Sequence, residues 1–266
     1  MTFLVAMQGR LWAILLGGVV GLWIVPVQAE SCVLSSYHVG LTFPVSKVEP
    51  RWACPLQAIV DHYTTANKIG PTEIPISESV YQYLLDRPPV AAALINRLDF
   101  APYKSEGRGP GRFWGDDGEG TSGIVELVYG DMANRIYYLE GTHESTVLPQ
   151  VMGKAVVFVR MNPVKDGDGR DAVETTLVAY TKLDSRILAG LLSLIRPLVG
   201  NIVARKLTQG VQVVTRLGLE IRQHPDHVLF EATDPPSLPD DEVVLLKQAM
   251  ETVHFRGAIQ SGAAVR

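Results

Sequence analysis

Between Ile124 and Thr181 four runs rich in Val, Ile, Tyr, Phe and Thr follow one another: Ile124–Tyr129, Arg135–Glu140, Ala155–Met161 and Glu174–Thr181. Branched and aromatic side chains suit the pleated chain, so each run reads as a strand. Gly130-Asp131, Gly141-Thr142 and Asp166-Gly-Asp-Gly supply turn residues between them. Nothing helical separates the first two runs or the last two. Parallel strands need a crossover of a dozen or more residues, so these runs form an antiparallel meander.

The chain then becomes helical. From Ile202 the apolar positions are Val203, Leu207, Val211, Val214, Leu217 and Ile221, at steps of 4, 4, 3, 3 and 4, which is one helical face. His224-Pro225 ends it. Upstream, residues 187–203 are much more apolar and contain Pro197, which breaks or restarts a helix. The sequence therefore predicts a short apolar helix to about Ile195 and a long amphipathic helix from about Pro197. Before the strands, Pro55–Asn67, Ser77–Leu85 and Val90–Leu98 read as short helices, the second with Ser77 as its N-cap. Residues 104–123 are Gly-rich and read as a long hairpin or surface loop around Phe113-Trp114. The loop Asp234–Asp241 precedes a last short helix over Asp240–Val253, and residues 256–266 read as a frayed tail.

That order defines an α+β fold: an antiparallel sheet with short N-terminal helices and a long C-terminal amphipathic helix packed on one face. The order of elements over residues 72–224, with the texture of Ser77–Arg87 (SESVYQYLLDR), resembles the START-like superfamily, the helix-grip fold of lipid-transfer proteins and polyketide cyclases. Val39–Phe43 or Thr72–Ile76 would have to serve as the first strand. The resemblance implies an apolar ligand held between a curved sheet and the long helix. Both faces of the strands are apolar: in Ala155–Met161, Val157 and Val159 alternate with Val156 and Phe158. One face packs on the helix, and the other needs cover of its own or another chain.

The N-terminus bounds the compartment. Leu11–Val27 is almost wholly apolar, Arg10 is the one charge before it, and Val27-Gln28-Ala29 places small residues where a signal peptidase cuts. Residues 1–29 read as an export signal cleaved after Ala29, with an uncleaved anchor as the alternative. Cys32 and Cys54, 22 residues apart and both beyond the cut, form a natural disulfide in an oxidising compartment. The organisation that follows is a signal peptide (1–29), a disulfide-tied N-terminal extension (30–71), the START-like domain (72–232) and a C-terminal helix with a disordered tail (233–266). Formal net charge is −4, which disfavours nucleic acid as the main partner because phosphate binding needs a basic surface.

Several polar residues lie within the strand runs: Glu126, Tyr138, Glu140, Arg160 and Tyr180. A charge buried alone is costly, so these groups pair, reach water or clamp the polar head of a ligand. The segment around Leu191, Leu192, Leu194, Ile195 and Arg196 reads either as core or as a helix lying on a membrane surface. No catalytic constellation is visible. His143, in Gly-Thr-His-Glu-Ser, has no partner at a ligand spacing, and the acidic run from Asp166 to Asp171 lacks the glutamate a calcium loop needs at its twelfth position. Neither metal nor cofactor is expected. The sequence points to an exported, periplasmic or secreted carrier of a hydrophobic small molecule or lipid. An enzyme of cyclase or hydrolase type on the same fold, and a non-catalytic envelope interaction protein, are the rivals.

Overall fold

Seven strands build one antiparallel sheet in the order β3-β9-β8-β7-β6-β5-β4. They are β3 (Thr65–Ile74), β4 (Lys104–Gly107), β5 (Arg112–Asp116), β6 (Thr121–Gly130), β7 (Asn134–His143), β8 (Val151–Lys165) and β9 (Asp171–Leu183). A short hairpin, β1 (Tyr37–His38) and β2 (Leu41–Thr42), precedes them with helix α1 (Pro50–Val60). Between β3 and β4 run α2 (Glu78–Asp86) and α3 (Pro88–Arg97), and after β9 come α4 (Leu192–Gln223), α5 (Pro225–Thr233) and α6 (Asp240–Gly262). The computed structural model describes residues 32–144, 150–184 and 192–262, with side chains described over 199–251 of the last stretch. The expected signal segment lies outside the described residues.

The α+β class and the β6–β9 meander agree with the sequence expectation, and the Gly-rich stretch is the hairpin β4–β5. Ser77 caps α2 by accepting from the Val80 amide at 3.4 Å, and Pro88 and Pro225 occupy first-turn positions where no amide donor is needed. The Asp166 turn is a hairpin turn. Its carboxylate accepts from the Asp168 and Arg170 amides at 2.9 and 2.8 Å and pairs with Arg222 at 2.7 Å.

Three expectations are corrected. Residues 65–67 are not the end of a helix. The helix stops at Val60, and Thr65–Ile74 is the first strand of the sheet, paired with β9. A bulge between Ile69 and Thr72 interrupts it, where Gly70 takes φ +96° and any Cβ would meet the Thr175 carbonyl at 2.5 Å. Second, α4 continues through Pro197 over its described length, Leu192–Gln223, and no new helix begins there. Third, the last helix extends to Gly262.

Strand alternation divides the sheet into two faces, and each has its own core. On one face Val159, Met161 and Val173 pack with Ile76, Leu94 and Leu217 beneath α2–α6. On the other, Ile136, Val156, Phe158 and Val178 pack under Phe43, Leu56 and Ile59 of the N-terminal segment. Each such side chain contributes roughly 1.5–3 kcal/mol by leaving water. The Cys32–Cys54 disulfide ties the start of that segment to α1. Two polar bonds pin the segment further: Lys182 Nζ donates to the Ala58 carbonyl at 2.9 Å, and Arg160 Nη2 donates to the Thr42 carbonyl.

Four glycines face one another across four strands: Gly115 opposite Gly123, Gly123 opposite Gly141, Gly141 opposite Gly153. They lie on the α4 side. A Cβ on Gly123 would meet the Glu140 carbonyl at 2.4 Å and Gly141 Cα at 2.6 Å, so the strands here approach more closely than any other residue allows. Gly210, on α4, has nothing within 4 Å of an added Cβ. The same substitution therefore has opposite signs at the two sites. Gly123→Ala is expected to lower unfolding free energy by about 2 kcal/mol, and Gly210→Ala to raise it by about 0.5–1 kcal/mol, both read from urea unfolding midpoints.

Candidate functional site

The glycine row lets the sheet curl, and contacts to α4 show by how much. Gly200 lies over Thr65 of β3, its Cβ position 3.5 Å from the threonine methyl. Lys206 reaches the turn between β5 and β6, pairing with Asp117 at 2.6 Å and Glu119 at 2.9 Å, and Gln209 Nε2 donates to Glu119 at 3.1 Å. Residues 200 and 206 are about 9 Å apart along a helix. On a flat sheet β3 and the β5–β6 turn would stand at least four strand spacings apart, about 19 Å. Both edges of the sheet thus contact the same short length of α4.

The Lys206 cluster is the electrostatic clasp of this contact. Burial pushes the Asp117 carboxyl up, but hydrogen bonds from Lys206 and from the Thr121 and Glu119 amides outweigh it and hold the group below its ordinary value. Glu119 is held down chiefly by Lys206 and then by Gln209.

Burial on the inner face is uneven. Between the glycine row and Val159, the inward residues of β6–β9 are Val125, Leu127, Tyr137, Leu139, Ala155, Val157, Leu177, Ala179 and Thr181, and all except Ala179 are only partly buried. On the same strands Ile136, Val156, Phe158 and Val178 of the outer face are 0% exposed. On the helix Val199, Val211, Val213, Leu217 and Ile221 are buried, whereas Val203 and Leu207 on the expected apolar stripe are partly buried and belong to neither packed cluster. Tyr137 lies at the junction. Desolvation pushes its phenol up to about 12 against the lowering influence of Arg135, and the ring packs against the inner core.

The ends of this stretch are polar and paired. Arg135, 6% exposed, donates to Gln82 at 2.6 Å and to Asp86 at 3.0 Å, tying β7 to α2. At the other end His143 Nδ1 and Thr121 Oγ1 are 2.9 Å apart. A shallow polar depression of about 310 Å³ lies across the outer side of the same sheet end, lined by Asp116, Ser122, Thr142 and Glu144. Among the described residues no cluster of His, Cys, Asp or Glu has the arrangement of a metal site, and no helix is long and apolar enough to cross a membrane.

The five polar residues singled out in the strands all lie on the outer face, away from α4. Glu126 stands opposite Tyr138, Tyr138 and Tyr180 opposite Val156, Glu140 opposite Lys154 and Arg160 opposite Thr176, all in the alternation of the outer face. Tyr138 donates to Glu140 at 2.9 Å, Glu140 pairs with Lys154 at 3.4 Å, and Glu126 lies 4.0 Å from Arg112. Arg160 stands over the Phe43 ring at 5.3 Å. Tyr180 Oη is 3.3 Å from His38 Nδ1. That imidazole is stacked on Phe158, and its pKa is lowered by burial despite a raising bond from Ser35. These residues meet the N-terminal segment and do not line the space under α4. Alternation assigns residues to two faces, but when both are apolar it does not say which face the helix takes. Of the membrane-surface set, Leu191 and the side chains of Leu192, Leu194, Ile195 and Arg196 lie outside the described residues. Sequence reasoning missed Thr65, Asn67 and Arg135, and it read Lys206 as a candidate for anionic head groups where the structure pairs it with Asp117 and Glu119. The interior glycines were a usable signal for the curl, since a glycine inside a strand pattern marks a bend or a close approach.

No family model matches this chain, and no curated protein does. Solved structures similar to it include a conserved protein from Geobacillus kaustophilus, at 11% identity and TM-score 0.42, covering 59% of this chain and 95% of that one. The protein XoxI from Bacillus cereus is similar at 12% identity and TM-score 0.39, covering 60% of this chain and 98% of its own.

Because Asp117 and Glu119 titrate lower when folded, their stabilisation is full above the ordinary carboxylate range and is lost as pH falls through the folded values. Thermal stability is expected to drop on acidification below about pH 4. Lys206→Met should lower stability at pH 7 and flatten this acid limb, as measured by melting temperature against pH.

Proposed function

We propose that this protein is an exported carrier of helix-grip type that holds a hydrophobic molecule, a lipid or a compound of similar character, between the curled sheet and the first half of α4. One observation carries the reading. On the same central strands, Ile136, Val156, Phe158 and Val178 of the outer face are sealed from solvent, whereas Val125, Leu139, Ala155 and Val157 of the inner face keep accessible surface beneath a helix. Accessible apolar surface costs about 25 cal/mol per Å². An apolar guest laid on these inner residues recovers that cost.

The lining fits such a guest. Ligand sites for small molecules are concave and mostly apolar, with few polar groups, and Val125, Leu139, Ala155 and Val157 form that kind of wall. The order β3-β9-β8-β7-β6-β5-β4 followed by a long helix supports the helix-grip assignment. Export is supported by the Cys32–Cys54 disulfide, a bond that persists in oxidising compartments, and by the apolar run Leu11–Val27 with its small residues at Val27-Gln28-Ala29.

Filling the space tests this directly. Ala155→Trp places an indole in the hollow, whereas Ala66→Trp places one on the exposed outer side of β3. The wild type and Ala66→Trp are expected to take up the neutral dye Nile red, and Ala155→Trp to lose uptake at least tenfold while remaining folded by circular dichroism. Absence of dye uptake by the wild type, together with no lipid in an organic extract of the purified protein, defeats the carrier reading.

A further inference from the structure

His38, on β1, is 2% exposed and sits where the N-terminal segment meets the outer face of the sheet. Its imidazole stacks on Phe158 with ring centres 4.2 Å apart, meets Tyr180 edge-on at 5.5 Å and lies 6.2 Å from the Phe43 ring. Phe43 and Phe158 are themselves 5.0 Å apart. Aromatic rings thus replace water around this group. Nδ1 is 3.3 Å from Tyr180 Oη, and Nε2 is buried with no hydrogen-bond partner. In a neutral imidazole with its proton on Nδ1, Nε2 is only an unused acceptor. In an imidazolium Nε2 becomes a charged donor, buried with nothing to accept from it, which is far more costly.

The charged groups that bind the segment to the sheet are cations. From β8, Arg160 donates to the Thr42 carbonyl and stands over the Phe43 ring at 5.3 Å. From β3, Lys68 donates to the Val39 carbonyl at 3.3 Å. From β9, Lys182 donates to the Ala58 carbonyl at 2.9 Å. Tyr180 and Tyr63, whose rings are 5.5 Å apart, are phenols and uncharged at neutral pH and below. The two carboxylates of residues 32–64 are at exposed positions: Glu49 pairs with Arg51 at 2.8 Å, and Asp61 accepts from Gln57 at 3.0 Å. Lys47, His62 and Tyr37 of the same segment are exposed as well. On the outer face of the sheet Glu140 pairs with Lys154, Glu126 stands by Arg112, and Glu174 is about 20 Å along β9 from Tyr180. Among the described residues no carboxylate meets either ring nitrogen of His38. A stacked phenyl ring favours an imidazolium through cation–π attraction. Loss of hydration and the positive charges of Lys68 and Arg160 on the flanking carbonyls oppose it.

We propose that His38 is a pH-sensitive latch on the N-terminal cover: neutral, it seats the β1–β2 hairpin against Phe158 and Tyr180, and protonated, it releases the hairpin. The released part lies between Cys32 and Cys54, so the disulfide keeps it tethered to α1. Opening uncovers Phe43 and Phe158, now 1% and 0% exposed, and so converts a fall in external pH into apolar surface. The sign follows from the neutral form being the one that fits. Burial holds the imidazole below its ordinary value against a raising bond from Ser35. The latch is therefore fully closed above the ordinary histidine value of about 6.5 and weakens as pH falls from there toward the folded value. That window lies above the one in which the Asp117–Glu119 clasp is lost.

Amide hydrogen exchange of the purified protein between pH 7.5 and 5.5, corrected for the intrinsic dependence of exchange on pH, reads local opening directly. Exchange over residues 37–43 is expected to accelerate several-fold, with a ceiling of about tenfold at pH 5.5, while residues 155–161 of β8 keep their protection. His38→Phe keeps a ring in the stack and cannot titrate, and its corrected exchange over 37–43 is expected to be flat with pH. Titration of the His38 imidazole in the wild type by NMR should give a value below the ordinary one. Flat exchange in the wild type, equal acceleration in His38→Phe, or equal loss of protection along β8 overturns the latch. So does a wild-type His38 that titrates at or above about 6.5, a result that needs no variant to fold.

Discussion

A sheet that is apolar on both faces must be covered twice, and this chain supplies both covers itself. The covers are unequal in kind. The N-terminal segment lies flat against the outer face and interdigitates with it, so that Phe43, Leu56, Ile136, Val156, Phe158 and Val178 are all within 1% of full burial. The long helix on the inner face is gripped at its edges, by β3 through Thr65 and by the β5–β6 turn through Lys206. Contact at the edges of a curled sheet leaves the middle less tightly filled than contact across a flat one. The sealed face and the open face are thus two consequences of one curvature, set where Gly115, Gly123, Gly141 and Gly153 meet.

The division of labour extends along α4. Its second half belongs to the solid core with α2, α3 and α6, where Leu217 and Leu246 are 1% and 0% exposed. Its first half spans the open part of the sheet and is tied down by polar contacts. Solvent-screened ion pairs are weak compared with buried apolar contacts.

The sequence made the central strands legible because β6–β9 are composed of residues that prefer the pleat and are separated by turn residues. The amphipathic period of the helix was equally plain, since Val211, Leu217 and Ile221 recur on one face. β3 was legible only in its second half, as the candidate strand Thr72–Ile76. Gly70-Pro71 splits it at a bulge, and Thr65–Ile69 has branched residues only at its ends and a polar middle. Its polar pair, Thr65 and Asn67, was lost with that first half. The disulfide followed from compartment and cysteine count. The facing of Tyr138, Glu140 and Arg160 did not follow from alternation, because Val156 and Val157 are the same residue, and only tertiary contact assigns one to the core under the N-terminal segment and the other to the core under the helices. Glycines in strand interiors were visible one at a time, but their alignment into a row depends on register, which turn lengths alone left undetermined.

Adjacent residues on one central strand give the sharpest test of this arrangement. Val156→Cys and Val157→Cys place a thiol on the sealed and the open face of β8 within one residue of each other, in otherwise identical proteins. Labelling of the folded protein by a small apolar maleimide is expected to be many-fold faster at position 157 than at 156, with bound ligand protecting only the former. Equal rates at the two positions, or faster labelling at 156, would contradict the account.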